Sequence, residues 1–168
     1  GIPENASGSH LAYMESEDGI HWIRPHRVLK DPGPIQFGVS IIDDGPGFSD
    51  AAKRYKYGYW YGGGLHIAVS ADGLDWSPLS PDVVVPNNHD ITWIGRDPIR
   101  NRYIALVSTY TAGDAWKGQR RIPMVTSSAD CLHWETPHVI ISPDAQDEGE
   151  TQFYCMAGVI ARGDLLIG

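Results

Sequence analysis

The chain repeats one seven-residue motif three times. The copies are SEDGIHW at residues 16–22, SADGLDW at 70–76 and SADCLHW at 128–134. Their tryptophans are 54 and 58 residues apart (76 − 22 and 134 − 76), about the length of one four-stranded antiparallel module with its loops. The spacing therefore predicts an all-β chain made of modules repeated around an axis, as in a β-propeller.

Each copy is predicted to form a tight turn rather than a reaction centre. The Asp carboxylate is expected to accept backbone N–H bonds, and the following Gly supplies a positive φ. The Trp is expected to begin the next strand with its ring facing inward. In the third copy Cys131 replaces the glycine, so we expect that turn to be strained or differently shaped.

Composition excludes several classes of partner and cofactor. The 168 residues carry a formal net charge of −8, which disfavours nucleic acid and anionic membranes as partners. No apolar stretch approaches the roughly 20 residues of a membrane span. The seven His show no zinc spacing and the acidic run over 144–150 has no calcium-loop spacing, so we predict no metal or other cofactor. Cys131 and Cys155 are predicted as free thiols.

Alternating apolar residues and turn signals predict the order of the strands. In chain order they cover residues 10–16, 22–29, 36–42, 54–61, 65–70, 76 with 83–85, 90–95, 102–110, 122–127, 134–141, 152–160 and 165–167. These strands make about two full four-stranded blades and two partial ones. A closed ring would need well over 200 residues at this blade length. We therefore expect residues 1–168 to be a single propeller segment of a longer protein, with a pair of copies as the less favoured alternative and the oligomeric state left open.

The first strand of each blade lines the axis of a propeller, so the residues that begin these strands should converge at one mouth. The aligned positions are Gln36, Asp90 and Gln152. The same alignment places Asp97 in a hairpin turn, which argues against a catalytic role for it.

Several of these motifs together resemble a known group of enzymes. They are Trp22-Ile23-Arg24-Pro25, Trp134-Glu135-Thr136-Pro137, Asn87-Asn88-His89-Asp90, Asp97-Pro98, Arg102-Tyr103 and Gln152-Phe153-Tyr154. The pattern is similar to five-bladed β-propellers of glycoside hydrolase families 32 and 43. The resemblance implies sugar chemistry at carboxylates carried by the inner strands.

The resemblance implies catalytic roles for two residues. Asp90 fits an axial carboxylate and Glu150 a general acid, but Asp90 also suits a strand cap or a pair with Arg96 or Arg121. Glu150 lies in an acidic run that also suits a solvated loop. Gln36 and Gln152 occupy positions where the enzymes favour acids, so they are expected to bind substrate rather than react.

Aromatic residues predict sugar binding independently of catalysis. Trp93 lies in a predicted inner strand, and Trp116 lies in a polar, Gly-containing loop over 111–119, where it suits a sugar platform. His89 is a further binding candidate, because alternation turns one of His89 and Asp90 towards the axis. Trp60 is expected to pack in the core.

The leading hypothesis is a glycoside hydrolase that acts on an oligo- or polysaccharide. A non-catalytic carbohydrate-binding propeller is the alternative that Gln36 and Gln152 favour. A sialidase-like protein ranks third, because Gly follows Asp directly in the motif and no cluster of three arginines is visible. No basic-then-apolar leader precedes residue 10, and a secreted or periplasmic location is favoured for a bacterial source.

Overall fold

The structure is a computed structural model that describes residues 9–25, 29–87, 89, 92–113, 116–147 and 156–168. Within these ranges the chain is all-β with antiparallel sheets, as predicted, and its one helical element is a short 3₁₀ turn, Ala51–Lys53. The predicted all-β class is therefore confirmed.

Two sheets of four or five strands follow one another along the chain. The first sheet contains β1 Phe37–Asp43, β2 Tyr55–Tyr61, β3 Gly64–Ser70, β4 Ser77–Pro78 and β5 Val85–Pro86. Its order is β1-β2-β3-β4, and β5 pairs with the other half of β3. The second sheet contains β6 Thr92–Asp97, β7 Arg102–Gly113, β8 Trp116–Ser128 and β9 His138–Val139, in that order.

Smaller β units lie on either side of these sheets in sequence. Before the first sheet, Glu15 and Ile23 form one antiparallel bridge, and the Leu29 N–H donates to the Leu11 carbonyl at 2.8 Å. After the second sheet, β10 Ile160–Arg162 and β11 Leu165–Ile167 form a hairpin. The predicted strands over 10–16 and 22–29 are thus reduced to this bridged hairpin. Most strands of the two large sheets agree with prediction to within a few residues, but β8 begins six residues before the predicted 122 and β9 covers two residues of the predicted 134–141.

The repeated motif forms the predicted turn in all three copies. In the second copy the Asp72 carboxylate accepts the N–H groups of Leu74 at 2.8 Å and Asp75 at 3.0 Å. The Trp76 indole N–H donates to the Gly73 carbonyl at 3.0 Å. The other two copies make the equivalent bonds. The motif is therefore a self-contained turn at the end of each hairpin.

Cys131 keeps this geometry at a glycine position. Its φ is +64°, close to the +79° of Gly73, and its N–H donates to Ser128 Oγ at 3.0 Å. Of the two expected alternatives, a strained turn or a different shape, the structure has the first, a positive φ at a non-glycine residue with the turn geometry kept. The side chain is fully buried among the apolar residues between the two sheets, so packing offsets the strain. Cys131 is a free thiol, as predicted, and burial raises its pKa; Cys155 lies outside the described residues.

The three tryptophans of the repeated motif differ in how far they are buried. Trp76 is 6% exposed and packs with Leu11 and Ile35 from the segment before its sheet. Trp134 is partly buried and packs on the apolar layer between the two large sheets. Trp22 is 55% exposed. The prediction of an inward ring was therefore wrong for Trp22.

The two large sheets pack face to face, with β1 beside β6. The apolar layer between them joins Leu65, Ile67 and Val85 of the first sheet to Ile94 and Val107 of the second. At the seam, Ser40 Oγ donates to the Ile94 carbonyl and accepts the Ile94 N–H, both at 2.9 Å. The Ser40 side chain thus satisfies both backbone hydrogen-bonding groups of Ile94. The strand of Ile94, β6, belongs to the second sheet and forms no backbone ladder with the first.

A buried polar cluster fixes the relative direction of β1 and β6. Asp44, which follows β1, accepts hydrogen bonds from Tyr103 Oη at 2.6 Å and from Lys56 Nζ, and Arg96 near the end of β6 lies 3.6 Å from it. The Asp44 and Lys56 side chains are 3% and 4% exposed. Burial raises the pKa of the Tyr103 hydroxyl, and its hydrogen bond to the Asp44 carboxylate raises that pKa further. Because Ser40 meets Ile94 and Asp44 meets Arg96, β1 and β6 run in the same direction.

We predict that Ser40→Ala destabilises the fold by about 1–3 kcal/mol, since it leaves the Ile94 N–H and C=O without a partner at a closed seam. Chemical denaturation measures the change. Ser127→Ala is the matched control, because the Ser127 hydroxyl bonds only to exposed Glu135. Equal effects of the two substitutions would contradict the importance of the seam.

The turn carboxylates predict loss of stability in acid. Hydrogen bonds from the backbone N–H of Asp75, and then of Leu74, lower the pKa of Asp72 in the folded chain. The carboxylate therefore stabilises the fold above the unfolded pKa of about 3.9, and this contribution disappears as pH falls through the folded pKa.

We accordingly expect the free energy of unfolding to drop below about pH 4, and Asp72→Asn to reduce that drop. Denaturant titrations across this pH range provide the measurement. Asp75→Asn, in the same exposed turn, should leave the pH dependence as in the parent chain.

Candidate functional site

The shared direction of β1 and β6 brings the residues before both strands to the same end of the sheets. We call this group the mouth cluster; it consists of Gln36, Trp60, Asn87, His89, Tyr110 and Arg121. The turns of the repeated motif, at Ser70 and Ser128, lie at the opposite end, because Tyr55 pairs with Ser70 and Tyr103 with Ser128. Structural turns and candidate site are therefore separated along the strands.

Hydrogen bonds connect the first half of the mouth cluster. The Gln36 N–H donates to the Trp60 carbonyl at 3.1 Å, and the Trp60 indole N–H donates to the Asn87 carbonyl at 3.3 Å. The Asn87 amide donates to the His89 carbonyl and, weakly, to the Ser108 carbonyl at 3.5 Å. Asn87 is 8% exposed, so it ties the edge of the first sheet to the second. The Gln36 side chain is exposed at this mouth.

Ring contacts connect the second half. The His89 ring is 5% exposed and meets Tyr110 edge-on, with 5.0 Å between ring centroids. Arg121 Nε donates to the Tyr110 hydroxyl at 2.9 Å, and the guanidinium lies 5.5 Å from that ring. The His89 side chain is therefore packed against this ring, whereas Asp90 lies outside the described residues.

Trp93 lies on β6 and is half-buried. Its ring covers Gly95, where a Cβ would lie 2.0 Å from the ring, and its indole nitrogen borders Gly158. The two glycines leave room for the indole between the second sheet and the segment before β10. Trp93 therefore fills the space between the second sheet and this segment, and it is the second residue of β6.

Trp116 does not lie in a loop. Residues of the predicted loop over 111–119 extend β7 and β8 into one long hairpin, in which Gly113 pairs with Trp116. The loop prediction was wrong for residues 111–113 and 116–119, because both runs belong to β7 and β8 and cross-strand pairing continues with a register shift after Ala112. The Trp116 ring lies on Gly113, and its indole N–H is buried without a hydrogen-bond partner in the part of the chain that the structure describes.

Asp97 is a turn residue, as the aligned repeats predicted. It is 2% exposed, and its carboxylate accepts the Ile99 N–H at 2.9 Å and Arg100 Nη1 at 2.8 Å. Burial opposes ionisation, but hydrogen bonds from Arg100 and Ile99 lower the pKa of Asp97. Its role is to hold the β6–β7 turn, at the end opposite the mouth.

Asp90, Glu150 and Gln152 lie outside the described residues, so their predicted roles stay predictions. Sequence reasoning did not assign Asn87, Tyr110 or Arg121 to the site. Counting the antiparallel register backwards from Thr92 and Val107 places residue 89 opposite Tyr110, which in turn pairs with Arg121. That row was detectable only once the register was known.

Among the described residues, no group of three His, Cys, Asp or Glu is placed to hold a metal ion. The same part of the chain contains no helix long and apolar enough to cross a membrane. No protein-family profile, curated protein or solved structure matches the chain.

We predict that Asn87→Ala destabilises the protein by about 1–3 kcal/mol, because the buried His89 carbonyl loses its donor. Amide hydrogen exchange should accelerate at residues 89 and 108–110. Gln119→Ala is the control, because Gln119 is exposed and lies on the same β7–β8 hairpin as residues 108–110. Unchanged exchange at these positions would show that Asn87 does not organise the mouth.

Proposed function

We propose that this chain is a β-propeller segment that binds a carbohydrate at the mouth cluster and hydrolyses its glycosidic bonds with Asp90 and Glu150. The observation that carries the proposal is that β1 and β6 lie side by side in the same direction, so that Gln36 and His89 precede them at one end. Inner strands that begin at a common mouth are the feature by which propellers gather polar groups.

The stacking of the modules supports the propeller architecture. Each large sheet is a meander of consecutive antiparallel strands, and the sheets pack face to face in chain order. The hairpin before the first sheet packs on the opposite face of that sheet, through Leu11 and Tyr57. This succession of faces is expected of blades around an axis.

The proposed chemistry uses two carboxyl groups. Asp90 would serve as nucleophile or base at the sugar carbon, and Glu150 would protonate the leaving oxygen. Gln36 would bind sugar hydroxyls from the adjacent strand.

A non-catalytic carbohydrate-binding protein is the second candidate. The exposed amide of Gln36 at the mouth favours it, because an amide binds hydroxyls without supplying acid or base. The Trp116 ring at the tip of the long hairpin would add a stacking surface in either case.

Asp90→Asn tests the catalytic role. We expect it to abolish release of reducing sugar from any glycan that the parent protein cleaves, with little change in melting temperature. Asp97→Asn is the matched control: it weakens hydrogen bonds in a structural turn, so it should lower the melting temperature and leave turnover per folded molecule intact.

Full turnover by Asp90→Asn would remove Asp90 from the chemistry. Binding on a glycan array without cleavage of any bound glycan would decide for the non-catalytic candidate. The absence of both binding and cleavage would overturn the proposed carbohydrate function altogether.

A further inference from the structure

A small cavity lies beside the first sheet, between the segment before β1 and the outer strands. We call it the rim groove; its walls include Pro32, Pro34, Tyr59, Tyr61, His66 and Pro81. Its volume is about 220 Å³. It shares no lining residue with the mouth cluster, so it requires a separate explanation.

The sequence of β2 builds the aromatic wall of the groove. Tyr57, Tyr59 and Tyr61 alternate along the strand and therefore share one face. Tyr59 pairs across the sheet with His66, and the two rings stack at 5.3 Å with 15° between their planes. Tyr57 stacks on the other side of Tyr59 at 5.5 Å. The wall is thus held in place without a ligand.

One polar group in this wall is open to the groove. Tyr59 as a residue is 3% exposed, and its hydroxyl makes no hydrogen bond within the described residues. That oxygen is not one of the fully buried polar atoms without a partner, so water reaches it from the groove and a ligand can replace the water. A Cβ on Gly33 would lie 3.4 Å from the Tyr59 hydroxyl, so the glycine keeps the approach to that oxygen open.

His66 and Tyr61 add two further binding features. His66 Nε2 lies 3.2 Å from the Tyr61 carbonyl, which fixes Nε2 as the donor and leaves Nδ1 as an acceptor. Burial lowers the pKa of His66, so the ring is neutral near pH 7. The Tyr61 side chain is 42% exposed and offers its ring to a ligand.

Size and charge restrict what the groove can hold. Its volume is smaller than the roughly 300–1,000 Å³ of sites for drug-sized ligands, so it has room for about one ring. Asp31 and Asp82 adjoin Pro32 and Pro81, which disfavours an anionic ligand. Apolar proline and tyrosine walls with a few fixed polar atoms suit a ring that has both C–H faces and hydroxyl groups.

We propose that the rim groove is a second carbohydrate site that takes one neutral pyranose ring. The sugar places a C–H face on Tyr61 and exchanges hydrogen bonds with the Tyr59 hydroxyl and His66 Nδ1. The site does not depend on hydrolysis at the mouth, and it would hold a glycan chain to the protein away from the reacting bond.

The test is an NMR titration of the ¹⁵N-labelled chain with methyl glycosides of glucose, galactose, mannose and xylose. We expect at least one to shift the amides of Gly33, Tyr61 and His66 with a millimolar dissociation constant, as is usual for one ring. Tyr59→Phe should weaken this binding about tenfold, the loss of one hydrogen bond. Tyr57→Phe is the matched control, since Tyr57 stacks on Tyr59 but does not line the groove.

Gly33→Ala and Tyr61→Ala keep the test decisive if Tyr59→Phe does not fold. The first covers the Tyr59 hydroxyl with a methyl group and the second removes the exposed ring, so both should weaken binding. Asp90→Asn should leave the groove shifts intact, which separates this site from the mouth.

Three outcomes would overturn the proposal. They are the absence of shifts at these amides with every glycoside, shifts that Tyr59→Phe, Gly33→Ala and Tyr61→Ala all leave unchanged, and shifts caused by a proline-rich peptide added in place of the sugars. The last result would assign the groove to an extended peptide.

Discussion

The seam between β1 and β6 determines the arrangement of everything else. Ser40 occupies both backbone hydrogen-bonding groups of Ile94, and the buried Asp44 carboxylate binds Tyr103 and Lys56 a few residues further along. The first interaction fixes the lateral contact of the two sheets and the second fixes their direction. Because a buried charge without its partner is strongly destabilising, the cluster also restricts sliding of one sheet past the other.

This geometry separates stability from candidate function along the same strands. At one end, the repeated turns satisfy their own backbone groups through Asp18, Asp72 and Asp130. At the other end, Asn87 and Tyr110 hold His89, which precedes β6. The polar side chains at the first end form local hydrogen bonds within their turns, whereas the Gln36 side chain at the mouth is exposed to solvent.

The rim groove and the mouth cluster lie on different parts of the first sheet. Adjacent residues of β2 face opposite sides, so Tyr59 serves the groove while Gly58 packs against Ile94 in the layer between the sheets. One strand therefore supports an apolar contact between the two sheets and the aromatic wall of the rim groove. The two proposed carbohydrate sites together would suit a polymeric ligand better than a small one.

The sequence by itself determined the all-β class, the strand order and the turn chemistry, because alternation and Ser-Asp-Gly turns act over a few residues. It also identified Asp97 as a turn residue from the repeat alone. Tertiary structure decided that Trp76 is buried while Trp22 is exposed, since Trp76 packs on Leu11 and Ile35 from a segment distant in sequence. It also decided that Trp116 lies in a strand and that Asn87, Tyr110 and Arg121 join the mouth, because those contacts depend on register between strands distant in sequence.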